Sequence, residues 1–456
     1  MRLDPDELER YRRKIGADGI EIYLGEDSDL SARIKGERLE GVAKSSSRGF
    51  GIRVNYGGNF GFASTDDEKD LEKRIDAAKK NAKLKGRDED WKGFVGAEED
   101  KDKRREKVEG IYDHHIVDLN GEEMIEFVES LMEGIKSVNG TLPIGGEVST
   151  VREQFRIINT NGIEEEEKRT MIYGSAEASF RNDCKSSICK LKNQRFLNDG
   201  MNSAYDFAIS RALDIDFEEI GRNAANLAKN SSKGKKIRSG RYDLVLSPLA
   251  ASELFDNIFV HAINGEEVMK GRSKFSNLGE EVGNAGLTIL DDGLFKGGCG
   301  STPFDDEGFP SGKNYILDEG ILKNFIYDSY TAGKEGKKST GNAVRADYSS
   351  FPEIDVRNLI VSHNEVGDPI EEMRDGILIN SFIGAHTSNE ITGDFSLEGK
   401  NAFKVERGEI KYPIKSLMVY GNFFDLLKAI VIAGRDIKMV YDIVTPSILV
   451  EDQRVI

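Results

Sequence analysis

The chain has 456 residues, 81 acidic and 64 basic, with a formal charge of −17, 38% apolar and 32% charged side chains. That length exceeds one ordinary core and predicts two domains, while the acidic balance argues against a nucleic-acid backbone as main partner, because phosphate binding needs a basic face. No run of about 18 apolar residues exists, so no membrane partner or span is expected, and the opening MRLDPDELERYRRKIGADG lacks the apolar stretch of a signal peptide.

In chain order, that opening predicts a first helix capped by Asp4 or Asp6. GIEIYLGE, LSARIKGERLEGVAKSS and RGFGIRVNYGGNFGFAST then read as short strands. NYGGN is a hairpin signal, because Gly57 and Gly58 tolerate positive φ. TDDEKDLEKRIDAAKKNAKL is a helix capped by Thr65 or Asp66. Residues 87–112 are charged and read as a surface excursion. NGEEMIEFVESLMEGIKSV is an amphipathic helix with Met124, Phe127, Val128, Leu131 and Ile135 on one face. Two alternating stretches follow, joined at NTNG, with Glu164 to Glu167 as a solvated strand edge.

The helix DFEEIGRNAANLAKNSS closes a first domain, 1–228, and the basic stretch 229–241 reads as an exposed linker. The second domain, 242–456, opens with the strand RYDLVLSP and the helix SELFDNIFVHAI, then becomes rich in glycine, turns and short strands, and ends on the strand SILVEDQRVI. The fold class is α+β: an N-terminal mixed sheet with helices and a β-rich C-terminal domain, without alternating βαβ units.

Most chemistry-bearing residues have plain structural readings. Cys184, Cys189 and Cys299 are an odd, sparse set that fits a reducing cytoplasm, hence a cytoplasmic location. Cys184 and Cys189 lack the second close pair of a structural zinc site. The glycine-rich GGCGSTPFDDEG and GFGIRVNYGG lack the strand–turn–helix context of a dinucleotide or phosphate loop. Asp305 and Asp306 read as turn acids, His114 and His115 as surface residues, His363 as a turn residue. His386 stands out. It lies in IGAHTSNEITGDFSLEGK with Asn389, Thr392, Asp394 and Ser396, a polar loop of the kind that lines clefts.

The blocks STPFDDEG, KSTGNA, ITGDFS and GEIKYPI, with SSRGFGIRVNYGGNFGFAST in the first domain, resemble the TldD/PmbA family of metallopeptidase-related proteins across the whole chain and in order. STPFDDEG and TGDFS resemble the PmbA branch, also called TldE. The resemblance implies a fold of TldD/PmbA type and a role in degrading or trimming unfolded peptides. The TldD-like branch carries zinc on a helix with His-Glu-x-x-x-His and a later cysteine ligand. At the matching spacing this chain has Asp256, Asn257 and His261. An amide cannot take a proton from metal-bound water, no cysteine follows Cys299, and a catalytic zinc normally has three protein ligands.

The expectation is a TldE-like subunit with no cofactor of its own, Asp256 and His261 being a degenerate metal site. The zinc would sit in a TldD-like catalytic partner, and His386, Asn389, Thr392 and Asp394 would face the peptide or partner cleft; a homodimer stays open. Two alternatives stand beside it: a self-sufficient metallopeptidase drawing on Asp256, His261 and His386, and a regulator of a topoisomerase acting by protein contact.

Overall fold

The computed structural model describes residues 4–97, 107–181 and 202–456. Cys184 and Cys189 lie outside the described residues.

Residues 4–230 build one antiparallel sheet of six strands, covered by helices. The strands are β1 (Gly19–Lys35), β2 (Arg38–Asn55), β3 (Phe60–Thr65), β4 (Thr141–Asn159), β5 (Glu164–Phe180) and β6 (Asn202–Ser210), in the order β3-β2-β1-β4-β5-β6. The first strands are long, not short. β1 and β2 pair from Gly19↔Asn55 to Lys35↔Arg38, so the predicted pieces are two continuous ribbons. The NYGGN hairpin is present: Asn55 pairs with Phe60, Tyr56 N–H donates to Asn59 O, and Gly57 and Gly58 have φ of 66° and 81°. β6 pairs with β5 only from Ile172 onward, which leaves the Glu164 end open on that side.

The helices are α1 (Pro5–Ile15), α2 (Leu71–Lys85), α3 (Gly121–Ser137) and α4 (Phe217–Asn230). Asn120 and Glu123 form a reciprocal cap at the start of α3. Its face of Met124, Val128, Leu131 and Ile135 is buried, each side chain contributing about 1.5–3 kcal/mol. α3 crosses α4 at two glycines. A Cβ on Gly134 would lie 2.0 Å from Glu218 O, and one on Gly221 2.1 Å from Leu131 O, so the backbones touch only because neither residue has a side chain.

Two readings change in the described parts of the chain. The stretch 87–112 is not simply a surface excursion: it buries Trp91, Phe94, Val95, Val108 and Ile111. The basic stretch is not a free linker either. Lys235 N–H donates to Pro413 O, and Lys415 N–H to Lys235 O, so it lies as a bridge against the second domain.

Residues 240–456 form two larger sheets. One holds six strands. The other is built around β7 (Gly240–Leu246), which runs beside the strands Ile448–Val455 and Asp375–Ile379. The predicted terminal strand is therefore central in its sheet. The apolar core of this half gathers around Phe255, Phe259 and Phe423.

Candidate functional site

Ser247 caps a helix, accepting from Ala250 N–H, and Pro248 takes the first helical position. The chain runs as α-helix over Pro248–Leu254, widens into one π turn over Phe255–Phe259, and resumes over Val260–Ile263. In the wide turn Val260 N–H donates to Phe255 O, a five-residue step. Five residues on an ordinary α-helix rotate two side chains about 140° apart. A π turn narrows that angle, and such turns concentrate at functional sites. The turn that suits a His-Glu-x-x-x-His spacing is thus present, with different residues on it.

Those residues are turned to different partners. The Nε2 of His261 lies 3.0 Å from Arg272 O, its donor position, and 3.9 Å from a Glu267 oxygen, while Nδ1 lies 3.7 Å from Glu390 Oε2. Asn257 bends back along the helix and donates from Nδ2 to Glu253 O at 2.7 Å. Asp256 is exposed and has no hydrogen-bond or ion-pair partner among the described residues. Burial pushes the Cys299 thiol up to about 12, away from the thiolate a metal needs. Among the described residues, the one set of three potential ligands within reach of a single ion is Asp113, His114 and His115. It lies apart from the helix, and Asp113 already caps a short helical turn by accepting from His115 N–H.

His261 lines a cleft of about 510 Å³ between the first sheet and the second domain. Asp256 and His386 do not line it, so the three groups needed by a self-sufficient site are not brought together there. One wall comes from the first domain through Arg53 of β2, Phe60 of β3 and Trp91; the other comes from Glu307, Asp328 and Tyr330.

The junction behind these walls is built by the distinctive sequence blocks. In STPFDDEG, Ser301, Thr302, Asp305, Asp306 and Glu307 are all buried. Asp305 Oδ1 accepts from Glu307 N–H and Phe309 N–H, and its Oδ2 from Ala343 N–H. Asp306 Oδ2 accepts from Arg345 N–H at 2.7 Å. Glu307 accepts from Arg53 Nη1 at 2.8 Å and from Ser329 N–H at 2.9 Å. Arg53 also bonds Glu21, 2.7 Å away on β1. Burial works against the charge on Glu307, yet Arg53 and Ser329 hold its carboxyl below the usual range. Asp328 accepts from Thr331 N–H and feels the Arg53 charge, but burial and then the Glu307 charge outweigh them and push it up to about 6.

The glycines of RGFGIR serve the same junction. A Cβ on Gly51 would lie 2.4 Å from Tyr348 O, and one on Gly49 2.3 Å from the Tyr348 ring, so β2 is bare where the second domain lies on it.

The polar loop 384–399 is arranged differently. Gly384 turns the chain at φ 86° and His386 stands exposed on the turn Ala385–Thr387. Asn389 Oδ1 accepts from Ile391 N–H and Thr392 N–H. Thr392 Oγ1 donates to Asp394 Oδ2, and Asn422 Nδ2 to Asp394 Oδ1. These bonds hold the Asp394 carboxyl below its ordinary range. The loop residue on the cleft wall is Glu390, while His386, Asn389, Thr392 and Asp394 lie off it. Sequence reasoning missed Glu390, Trp91, Arg53 and Glu307. Only Glu307 had a signal, as the third acid of a block already singled out.

Comparison with known proteins places this arrangement. Models of the PmbA/TldA metallopeptidase domain 1, central domain and C-terminal domain match residues 20–82, 114–232 and 239–456. An uncharacterised protein of Methanocaldococcus jannaschii is 31% identical over 449 residues, 98% of each chain. Metalloprotease PmbA of Escherichia coli O157:H7 is 24% identical over 448 residues, covering 96% of this chain and 92% of that one. A Thermotoga maritima structure called a modulator of a DNA gyrase superposes with a TM-score of 0.88 at 27% identity, over 99% of both chains. TldE from Thermococcus kodakarensis shares the fold, with a TM-score of 0.87 at 24% identity over 99% of both chains. The chain belongs to the PmbA/TldD metallopeptidase family.

Proposed function

We propose that this chain is the PmbA/TldE-like, non-catalytic subunit of a TldD-type zinc metallopeptidase complex that degrades or trims unfolded peptides in the cytoplasm. The observation that carries the reading is the helix Pro248–Ile263. It keeps the π turn, yet its base position is an amide bound to Glu253 O and its histidine donates to Arg272 O. With an amide at the helix's base position and no three-ligand set on that helix, no hydrolytic step is assigned to this chain. Zinc and its hydroxide-generating chemistry belong to the partner.

This chain's own work is to hold peptide. Among the described residues the strand Glu353–Ile354 pairs with Ala343–Val344, and both of its residues face the cleft. Ile354 O accepts from Asn264 Nδ2 at 3.2 Å, and an extended peptide can add along the rest of this edge. Among the described residues no helix is long and apolar enough to cross a membrane.

The test is elemental analysis and reconstitution. Purified alone, the chain is expected to hold well under one zinc per chain and to cleave unfolded peptides poorly. Mixed with a TldD-type partner it is expected to raise peptide cleavage, with Asp256→Ala and His261→Ala changing the rate less than about tenfold, or 1.4 kcal/mol. Stoichiometric zinc in the isolated chain, lost with activity in His261→Ala, would refute the reading.

A further inference from the structure

The cleft is chemically lopsided. Its lining includes six carboxylates, Glu266, Glu267, Glu307, Asp328, Glu353 and Glu390, against two arginines, Arg53 and Arg272. Three of the six are already answered. Arg53 lies 2.8 Å from Glu307, and Lys270 lies 3.0 Å from Glu266 and 3.2 Å from Glu267. Among the described residues none of Asp328, Glu353 and Glu390 forms an ion pair with a lysine or arginine, although the Arg53 charge reaches Asp328. Glu390 has only the neighbouring His261, and Asp328 spends one oxygen on Thr331 N–H.

The same cleft has an aromatic side. Phe60, Trp91, Tyr330 and Phe351 line it, with Phe60 and Trp91 ring centres 4.7 Å apart. Such rings attract ammonium and guanidinium groups through their negative faces. The protein already uses them so: Lys85 stands 4.5 Å from the Phe60 ring centre, and Lys334 4.3 Å from that of Tyr330. Trp91 supplies an independent pointer to a ligand. It is only 7% exposed, and its indole Nε1 has no hydrogen-bond partner among the described residues. An indole N–H is a donor alone and calls for an acceptor such as a carbonyl. An unmade bond of this kind costs about 1–3 kcal/mol when buried.

We infer that the cleft selects peptides carrying a positive charge, with an ammonium or guanidinium set between the carboxylates of Asp328, Glu353 and Glu390 and the ring of Trp91, and a peptide carbonyl facing the Trp91 indole. The cation is either a lysine or arginine side chain or the N-terminal ammonium. The inference rests on reading the cleft as a peptide site. It adds the charge that a peptide must carry, and it gives the surviving acids of a degenerate metalloprotease cleft a task. The overall charge of −17 works in the same direction at long range.

The chain carries a single tryptophan, so its fluorescence reports this cleft alone. The purified full chain, without a catalytic partner, is titrated by calorimetry with blocked tetrapeptides that differ only in lysine against norleucine, and with one tetra-alanine peptide with and without an N-terminal acetyl group. A cationic member is expected to bind at least about tenfold tighter than its neutral twin, to change Trp91 emission, and to lose most of that advantage at about 0.5 M salt. Whichever pair shows the preference identifies the source of the cation. Glu353→Gln and Glu390→Gln, both exposed positions, are expected to reduce it several-fold without moving the thermal midpoint.

Equal binding of both members of each pair would overturn the inference. So would no binding by any peptide at millimolar concentration, or a preference that survives in the Glu353→Gln, Glu390→Gln double variant. Stimulation of a TldD-type partner without any charge preference would refute this inference alone. A charge preference without stimulation would refute the subunit reading alone.

Discussion

Residues 301–311 and 384–399 are both glycine-punctuated, acidic, rich in serine and threonine, and distinctive in composition. Their polar groups nevertheless have opposite destinations. In 301–311 each acid sends an oxygen to a partner outside the segment: Asp305 takes Ala343 N–H, Asp306 takes Arg345 N–H, and Glu307 takes Arg53, which is 254 residues away in the chain. Among the described residues the side-chain hydrogen bonds of 384–399 mostly close within a few residues; Asn422 contributes from outside, and Glu390 faces His261. The first segment fastens the first sheet to residues 240–456 and shapes the cleft behind its wall. The second stiffens its own turn and sends one side chain, Glu390, to the cleft. Composition marks such segments as important. Only the location of the partners decides what they do.

The sharpest way to break this contrast is to remove the long-range partner. Arg53→Met leaves Glu307 buried without its cation and leaves Glu21 only Arg345 Nη2, 3.4 Å away; both carboxyl groups are about 1% exposed. Stripping one member from a buried ion network destabilises by about 3–5 kcal/mol. Equilibrium urea unfolding should show that loss. A loss below about 1 kcal/mol would mean that the junction is solvated and that 301–311 is no more structural than 384–399.

Asp305→Ala tests the same segment from its other side. The variant removes the acceptor of three buried N–H groups, those of Glu307, Phe309 and Ala343. Unsatisfied buried donors cost about 1–3 kcal/mol each, and relaxation around the small residue should limit the sum to about 3 kcal/mol. Asp305→Asn keeps one acceptor oxygen and should recover part of it. Identical losses in the two variants would show that the hydrogen bonds are not the cause.

The contrast also explains what the sequence could reveal. The hairpin at Gly57–Gly58, the helix over Gly121–Ser137 and the strand ending near residue 455 were legible, because turn residues and apolar period act locally. The continuity of β1 and β2 was not: Arg38 to Arg48 are exposed on both faces, so no alternation marks them as strand. The burial of Trp91 was hidden by the charges around it, and it depends on Phe60, distant in sequence. The Arg53–Glu307 contact had no local signal at all. Neither did the choice of Glu390 over Asn389 as the cleft-facing residue, since adjacent loop residues differ only in where the backbone aims them.

A pH experiment addresses the stem of the second loop. Glu253 Oε2 accepts from Phe382 N–H at 2.6 Å, on the strand Ser381–Ile383 that leads into the loop. Burial pushes Glu253 up to about 7 from 4.5. The folded chain therefore binds this proton more tightly than the unfolded chain. Its contribution is fully present below about 4.5 and is lost as pH rises through about 7. Glu253→Gln keeps the acceptor and removes the charge. At pH 8 the variant should be more stable than the parent by on the order of 1 kcal/mol, and near pH 4.5 the two should agree. Asp328 and Asp442, pushed up to about 6 and about 7 by burial, leave the variant with part of the same slope. Melting curves at the two pH values check the sign, and a variant less stable at pH 8 would show that the ionised carboxylate is the form the loop stem needs.

The smallest expected effect is the most discriminating one. Asn389 accepts two N–H groups of its own turn, from Ile391 and Thr392, and all three residues are exposed. Water can replace an acceptor lost from an exposed turn, so Asn389→Ala should cost about 1 kcal/mol or less. If the turn only aims Glu390, the variant should weaken binding of a cationic peptide in the same proportion as Glu390→Gln, and adding the second substitution to the first should change little. If Asn389 touches peptide itself, the two losses should add, and the neutral peptide should weaken as well. Calorimetry on the two single variants and the double variant separates these cases while the thermal midpoint stays within a few degrees of the parent. An additive loss with both peptides would move Asn389 from the turn to the cleft and erase the contrast between the two loops at this position.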